Sequence, residues 1–233
     1  DFGQMVRKTQ FAISSDETRT ALNGIFFEAK GGTLSVVATD GHRLAFTSKS
    51  FEALTEDTGI IIHRKAIQEL LKILGDNVET VQFQQQENHV LFQLNSIVLV
   101  SRLIEGQFPN YQQVIPKAND KKVTVPRKDF SGGLRRVSLM ANEKSRMVKL
   151  KFSEGLLSLI SDTSEVGEAN EEIEIDYKGE EISIGFNSRY LLDFLSVVED
   201  ENLQIDFKDS LSSTLITPTG ETDYFCVVMP MRV

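Results

Sequence analysis

The sequence predicts an α+β protein made of two similar domains, each with two helices packed on antiparallel β-sheets. The first observation is a duplicated order: helix, strands, helix and strands occur twice at an offset of about 120 to 125 residues, which suits duplicated domains rather than a short-period solenoid. The second is a matched pair, in which Ile60-Ile61-Ile62-His63-Arg64 enters a Leu70-Leu71 helix as Ile182-Ser183-Ile184-Gly185-Phe186 enters a Leu191-Leu192 helix. The third is the Pro-containing stretch from Ile115 to Lys122, which separates the copies and places the domains at residues 1–117 and 118–233.

In the first copy, Met5, Val6, Phe11, Ala12 and Ile13 fall at helical spacing, and Asp16 to Leu22 reads as a short turn or helix before Asn23-Gly24. Ile25 to Ala29 and Leu34 to Thr39 are β-prone runs joined by Lys30-Gly31-Gly32, whose glycines suit the positive φ of a hairpin turn. A strand at Arg43 to Lys49 precedes Ile60 to Ile62 and a helix from Arg64 to Leu74, with Ile67, Leu70, Leu71 and Leu74 as its apolar stripe and Gly75 as its stop. Strands at Thr80 to Gln84, Val90 to Leu94 and Ile97 to Arg102 follow, before Phe108-Pro109-Asn110-Tyr111 and Pro116 interrupt regular structure.

The second copy has a helix at Arg127 to Met140 and strands at Val148 to Phe152, Leu156 to Ser161, Glu171 to Tyr177 and Ile182 to Ile184. A helix at Arg189 to Val198 and strands at Leu203 to Phe207, Ser213 to Thr217 and Tyr224 to Met229 complete it. Lys122 to Pro126 supplies an opening strand here, whereas the first copy has only Asp1 to Gln4 before its helix, so its opening strand is expected to be missing.

Apolar residues make up 40% and charged residues 25%, an ordinary globular composition able to bury a proper core. No apolar run approaches the roughly 20 residues of a membrane span, and the start lacks the basic and apolar regions of a signal peptide, so the expectation is a soluble, cytoplasmic protein. Cys226, the only cysteine, lies in an apolar run and reads as a buried core thiol.

A net charge of -9 argues against nucleic-acid binding unless the cations are clustered. They are clustered on helices. Lys65, Gln68 and Lys72 line the side of the Arg64 helix opposite its apolar stripe, and the Arg127 helix buries Phe130, Leu134, Val137 and Met140 while turning Lys128, Arg135 and Arg136 outward. Arg7 and Lys8 mark the first helix, and Arg189 is the only basic residue of the fourth. Acidic residues concentrate in strands and loops, from Glu165 through Glu171, Glu172, Glu174 and Asp176 to Glu180 and Glu181, which suggests opposite faces of opposite charge.

Asp40-Gly41-His42-Arg43 is the one stretch with the look of acid–base chemistry, although a carboxylate beside a glycine after a strand is first a turn former. His42, His63 and His89 are scattered, and no metal-ligand spacing, nucleophile elbow, phosphate loop or dinucleotide fingerprint occurs. Asp209-Ser210 and Ser212-Ser213 read as groups that satisfy local backbone or line a pocket.

Four motifs in order resemble those of bacterial sliding clamps, the β subunit of DNA polymerase III: Ala38-Thr39-Asp40-Gly41-His42-Arg43-Leu44-Ala45, Glu105-Gly106-Gln107-Phe108-Pro109-Asn110-Tyr111, Asn142-Glu143-Lys144 and Val228-Met229-Pro230-Met231-Arg232. The resemblance covers essentially the whole chain and implies a DNA-clamp fold comprising the second and third of the family's three domains. It implies a non-catalytic processivity factor that encircles duplex DNA, with no cofactor or metal. Polymerases, the clamp loader and mismatch-repair proteins would dock through short peptides.

On that resemblance, Arg7, Lys8, Arg19, Arg64, Lys65, Lys72, Arg135 and Arg136 would face DNA, through loose phosphate contacts that set no register. The family's peptide pocket carries over to Leu22, Thr39, Gly41, His42, Arg43, Leu44, Pro109, Val114, Asn187, Tyr190, Leu211, Ser213, Val227, Val228, Met229, Pro230, Met231 and Arg232. Gln113 stands where a cation is frequent and Ser145 where a large apolar residue occurs. Leu139 and Met140 fall on the surface that meets another subunit in the family's homodimeric ring; without the first domain the chain is expected to be monomeric and unable to close that ring. Two competing readings are a standalone peptide-binding module and a small-molecule enzyme using Asp40 and His42.

Overall fold

The computed structural model describes residues 1–75, 78, 80–163 and 167–232 and divides into two units, Asp1–Tyr111 and Gln112–Val233. Glu165, part of the expected acidic run, and the terminal Val233 lie outside the described residues. Unit 1 runs α1 (Phe2–Thr9), β1 (Gly24–Lys30), β2 (Thr33–Thr39), β3 (Arg43–Ser50), β4 (Thr58–His63), α2 (Arg64–Ile73), β5 (Gln82–Gln86), β6 (His89–Leu94) and β7 (Ile97–Arg102). Unit 2 opens with β8 (Lys121–Pro126) and continues α3 (Arg127–Val137), β9 (Met147–Ser153), β10 (Leu156–Thr163), β11 (Gly167–Glu174) and β12 (Ile182–Asn187). It ends with α4 (Ser188–Leu195), β13 (Asn202–Phe207), β14 (Thr214–Pro218) and β15 (Tyr224–Val228).

The duplication extends to strand connectivity. In unit 1, β1 lies between β2 and β4, and β3 pairs with β2; in unit 2, β9 lies between β10 and β12, and β11 pairs with β10, all antiparallel. A second sheet joins β5, β6 and β7 in unit 1, and β8, β13, β14 and β15 in unit 2. Each unit also carries one isolated bridge behind its last strand, Ile62 to Leu103 and Gly185 to Met231.

Strand alternation explains the cores. One face of β1 and β2 buries Ile25, Phe27, Leu34 and Val36, and the amphipathic stripes of α1 and α2 cover it with Met5, Val6, Ile67 and Leu70. In unit 2, Phe152 of β9 stacks on Phe207 of β13 with ring centroids 4.4 Å apart, tying one sheet to the other. Cys226 is buried, as its apolar surroundings predict. The hairpin glycines Gly31 and Gly32 take φ of 56° and 79°, the left-handed values that the β1–β2 turn needs.

Several boundaries move. Gly75 does not take the left-handed conformation expected of a helix stop; α2 ends at Ile73, and Leu74 after it, with a ψ of 66°, breaks the helix while its N–H still donates to Leu70 O. The Arg127 helix stops at Val137 and tightens into a 3₁₀ turn over Ser138–Met140, so Met140 is 36% exposed rather than buried. β11 is Gly167–Glu174, not Glu171 to Tyr177, because pairing with β10 sets its length whereas the apolar pattern draws the eye toward Ile175 and Tyr177. β5 lies two residues later than expected, since its glutamines pair through backbone that carries no apolar signal. The division between units follows Tyr111, earlier than residue 117, because Tyr111 is anchored in unit 1: its hydroxyl donates to Glu28 Oε2 at 2.7 Å and its ring meets Phe26 and Phe46. Among the described residues no helix is long and apolar enough to cross a membrane.

Both second helices start in the same way. His63 Nδ1 accepts from Lys65 N at 3.1 Å, and Asn187 Oδ1 accepts from Arg189 N at 3.0 Å, each satisfying an otherwise orphaned helix donor. His63 must be neutral to accept, and partial burial together with Lys65 and Arg64 lowers its pKa from the ordinary 6.5. A lowered folded pKa means the unfolded chain binds the proton more readily, so this contribution is fully present above 6.5 and falls away as pH drops toward the folded value. Urea unfolding followed between neutral and mildly acidic pH should show that decline, and His63→Asn should flatten it.

Two adjacent glycines in α3 separate propensity from packing. A Cβ on Gly133 would stand 2.8 Å from Leu159 Cδ1, whereas one on Gly132 would meet only the far end of the Arg136 side chain, at 3.3 Å. Gly132→Ala should stabilise by about 0.5 to 1 kcal/mol through helix propensity. Gly133→Ala should destabilise by about 1 to 3 kcal/mol by overpacking against β10; thermal unfolding of the two variants checks the opposite signs.

Candidate functional site

The turn between β2 and β3 is built by Asp40. Its Oδ1 accepts from His42 N and Arg43 N at 2.9 and 3.0 Å, and its Oδ2 accepts from Arg43 Nε at 3.1 Å. Arg43, only 8% exposed, also donates to Phe11 O at 2.6 Å and lies over the Phe11 ring at 5.3 Å, so one side chain joins the turn to the segment after α1. Thr39 Oγ1 donates to Arg43 O and accepts from Gly41 N. Gly41 has a φ of 88°, and a Cβ there would come within 2.8 Å of the Arg19 guanidinium, which donates to Asp40 O.

This geometry argues against acid–base chemistry at Asp40 and His42. Both carboxylate oxygens are engaged by the turn, and His42 Nδ1 stands 4.0 Å from Asp40 Oδ1, beyond hydrogen-bond reach. The imidazole side chain is 64% exposed, so the motif presents His42 at the surface rather than enclosing it. Leu22, also expected here, ends a 3₁₀ turn over Thr20–Leu22 and is partly buried.

In unit 2, Asp209 does for a second turn what Asp40 does in unit 1. It accepts from Leu211 N at 2.9 Å and from Ser212 N and Oγ at 2.7 and 2.9 Å, bonds that hold its carboxyl below the usual range. That turn leaves Leu211 70% exposed. Pairing of Thr214 with Val228 sets Ser213 opposite Met229, which is 43% exposed. Met231 N donates to Gly185 O at 2.8 Å, docking the end of the chain on β12 two residues before Asn187 and five before Tyr190. Backbone pairing thus brings Ser213 beside Met229, and Met231 onto the strand that leads to Asn187.

The expected DNA-facing cations divide. Arg7, Lys8, Arg64, Lys65, Lys72, Arg135 and Arg136 lie on the helices, but Arg19 lies in a turn, 3.5 Å from Asp16. Arg7 donates to Leu74 O, joining α1 to the end of α2, and Lys72 pairs with Glu69 at 2.7 Å. Arg136 makes two bonds to Glu171, at 2.6 and 3.0 Å. The acidic strand is therefore not wholly remote from the basic helix. Alternation along β11 turns Glu171 and Ile173 toward α3, where both approach the Gly133 position, and leaves Glu172 and Glu174 exposed.

Comparison with known proteins decides the family. Residues 1–110 match the DNA polymerase III beta subunit, central domain, and residues 112–232 match the DNA polymerase III beta subunit, C-terminal domain. The chain belongs to the bacterial DNA polymerase III β-subunit family. It is 37% identical over 231 residues to the Beta sliding clamp of Pseudomonas putida, covering 99% of this chain and 63% of that protein. It is 39% identical over 235 residues to the Beta sliding clamp of Caulobacter vibrioides, again covering 99% and 63%. The crystal structure of the Pseudomonas aeruginosa clamp bound to griselimycin superposes with a TM-score of 0.94 at 36% identity, covering 99% of this chain and 64% of that one. The β-subunit chain thus spans less than two thirds of the length of these relatives.

Within this β-subunit chain, several motif residues support rather than present a surface. Leu44, Val227 and Val228 are buried to 2% or less, and Phe108 stacks on Phe26 at 4.9 Å, leaving its neighbour Pro109 exposed. Val114 is 48% exposed and Arg232 is exposed; Pro230 is partly buried. Ser145 helps close the turn after the 3₁₀ segment: its N–H donates to Asn142 Oδ1 and its hydroxyl accepts from Met147 N. Sequence reasoning missed Phe11 as a support, whereas Asp209, read there as satisfying local backbone groups, accepts from Leu211 N and Ser212 N.

Arg43→Met should lower the stability of unit 1 by about 1 to 3 kcal/mol, because it strips the Asp40 carboxylate and the Phe11 carbonyl of their charged donor. His42→Ala, at an exposed site, should change stability by less than about 0.5 kcal/mol. Urea unfolding monitored by circular dichroism separates the two.

Proposed function

We propose that this chain is the partner-docking part of a sliding clamp, a non-catalytic processivity factor of bacterial DNA replication working in the cytoplasm. The observation that carries the proposal is a pair of apolar side chains of unit 2 held in solvent, Leu211 at 70% and Met229 at 43% exposure. Exposed apolar groups set by polar turns suit the anchors of a short peptide, and methionine adapts to differing partners. In unit 1, the Asp40–Arg43 turn would present Gly41 and His42 as peptide contacts of its own. The partners are replicative and other polymerases, the clamp loader and mismatch-repair proteins, each through a short segment bearing Gln and apolar or aromatic anchors.

In the complete ring, a homodimer, the helices would surround duplex DNA and Leu139, 76% exposed, would meet the neighbouring subunit with Met140. Their cations suit loose, salt-sensitive contact with phosphates. The standalone peptide-binding reading draws on the engagement of Arg7, Lys72 and Arg136 with groups of their own chain.

A fluorescent peptide of the Gln-Leu-x-Leu-Phe type should bind saturably to the chain. Leu211→Ala should weaken it by about ten-fold, the effect of trimming a buried anchor at roughly 1 to 2 kcal/mol. Truncation after Val228, which removes Met229 and Met231, should abolish it. Absence of binding by the intact, folded chain in fluorescence polarisation would overturn the docking proposal.

A further inference from the structure

Asn23-Gly24 is the only Asn-Gly step in the sequence, and the structure uses it to pass from the 3₁₀ turn over Thr20–Leu22 into β1. Such a step is chemically labile, because asparagine is a thermolabile residue and a following glycine offers its amide nitrogen with no Cβ to shield it. The fold nevertheless requires the glycine. A Cβ on Gly24 would collide with Ile62 O of β4, the strand alongside, and would stand 3.1 Å from Ile104 Cδ1. The close pass of β1 against β4 thus builds the labile step into unit 1.

The same pairing holds that step still. Asn23 N donates to Thr20 O at 3.1 Å, and Asn23 O accepts at 2.9 Å from the N–H of Arg64, the first residue of α2. The ψ of Asn23 is 19°, which turns the Gly24 nitrogen away from the Asn23 Cβ, whereas closure of a five-membered ring needs the two eclipsed about the Cα–C bond. Asn23 is partly exposed, and its side-chain amide has no hydrogen-bond partner among the described residues. The main chain, not the side chain, therefore blocks reaction. The Asp40-Gly41 step is blocked differently, since both Asp40 carboxylate oxygens are engaged and Gly41 N donates to Thr39 Oγ1.

We propose that Asn23-Gly24 is a site of spontaneous backbone modification latched by the start of α2. Rotation of ψ swings the Asn23 carbonyl away from Arg64 N and brings the Gly24 nitrogen to the side chain. That nitrogen loses its proton to hydroxide and bonds to Asn23 Cγ; the Cγ–Nδ2 bond breaks, and the nitrogen leaves as ammonia with a proton taken from water. Water then opens the cyclic imide at either carbonyl. Cleavage at Cγ leaves an aspartate in an ordinary backbone. Cleavage at the main-chain carbonyl leaves an isoaspartate, whose chain runs through Cβ and Cγ and in which the carbonyl that served Arg64 has become a free carboxylate. The added methylene lies directly ahead of Gly24 and disturbs the Gly24–His63 register that seats β1 beside β4.

The test removes the latch alone. Arg64→Pro deletes the N–H at a helix position where proline is at home, and His63, with φ of -61° and ψ of 142°, already has the extended backbone that a following proline needs. Arg64→Ala deletes the side chain and keeps the N–H. The unsubstituted chain and both variants, shown to be folded by circular dichroism, are incubated at mildly alkaline pH beside the unsubstituted chain in concentrated urea, and aspartate and isoaspartate at position 23 are measured by peptide mapping with mass spectrometry. The folded chain and Arg64→Ala are expected to react about ten-fold or more slowly than the unfolded chain, with Arg64→Pro closing most of that gap. Hydrogen exchange of the Arg64 amide in the unsubstituted chain gives a second reading that needs no variant: its slowing relative to the unfolded chain should match the slowing of the modification. Modification of the folded chain as fast as in urea, a rate that Arg64→Pro leaves unchanged, or a rate that does not follow Arg64 exchange would overturn the proposal.

Discussion

Each unit depends on one shared apolar layer, in which a four-stranded sheet, a second sheet and two helices contribute side chains to the same interior. Phe152 stacked on Phe207 is the clearest instance, because it joins β9 to β13 with one contact. In unit 1 the corresponding layer brings Phe27, Phe92 and Phe2 together more loosely. The alternation of the strands, the stripes of the helices and the tight passage of α3 at Gly133 all follow from filling that layer at crystal-like density.

Polar chemistry then fixes the places where the chain leaves the layer. His63 and Asn187 start the second helix of each unit by the same hydrogen bond, although one side chain is an imidazole and the other an amide. Asp40 and Asp209 each gather backbone donors to make a rigid turn. The consequence at Asp40 is a buried Arg43; at Asp209 it is an exposed Leu211. A motif that resembles an acid–base pair in sequence is thus a structural clip, and a serine-rich turn that looks unremarkable holds an apolar side chain in solvent.

Charge shows the same dependence on three dimensions. The net charge of -9 coexists with cations on the helices, as their spacing predicts. Linear segregation of acids from bases does not survive folding intact, since β11 alternates its glutamates between two faces and delivers Glu171 to Arg136. Exposed pairs of this kind add little stability.

The duplicated order, the two helices per unit and nearly every strand were legible in the sequence, because each rests on local periodicity and on turn residues such as Gly31-Gly32. The family motifs were legible too, as short runs in a set order. What only the tertiary structure decided lies wherever a partner distant in sequence sets the outcome. The length of β11 is set by β10, the exposure of Met140 by a tightened last turn, and the role of Arg43 by a carbonyl of Phe11, 32 residues away.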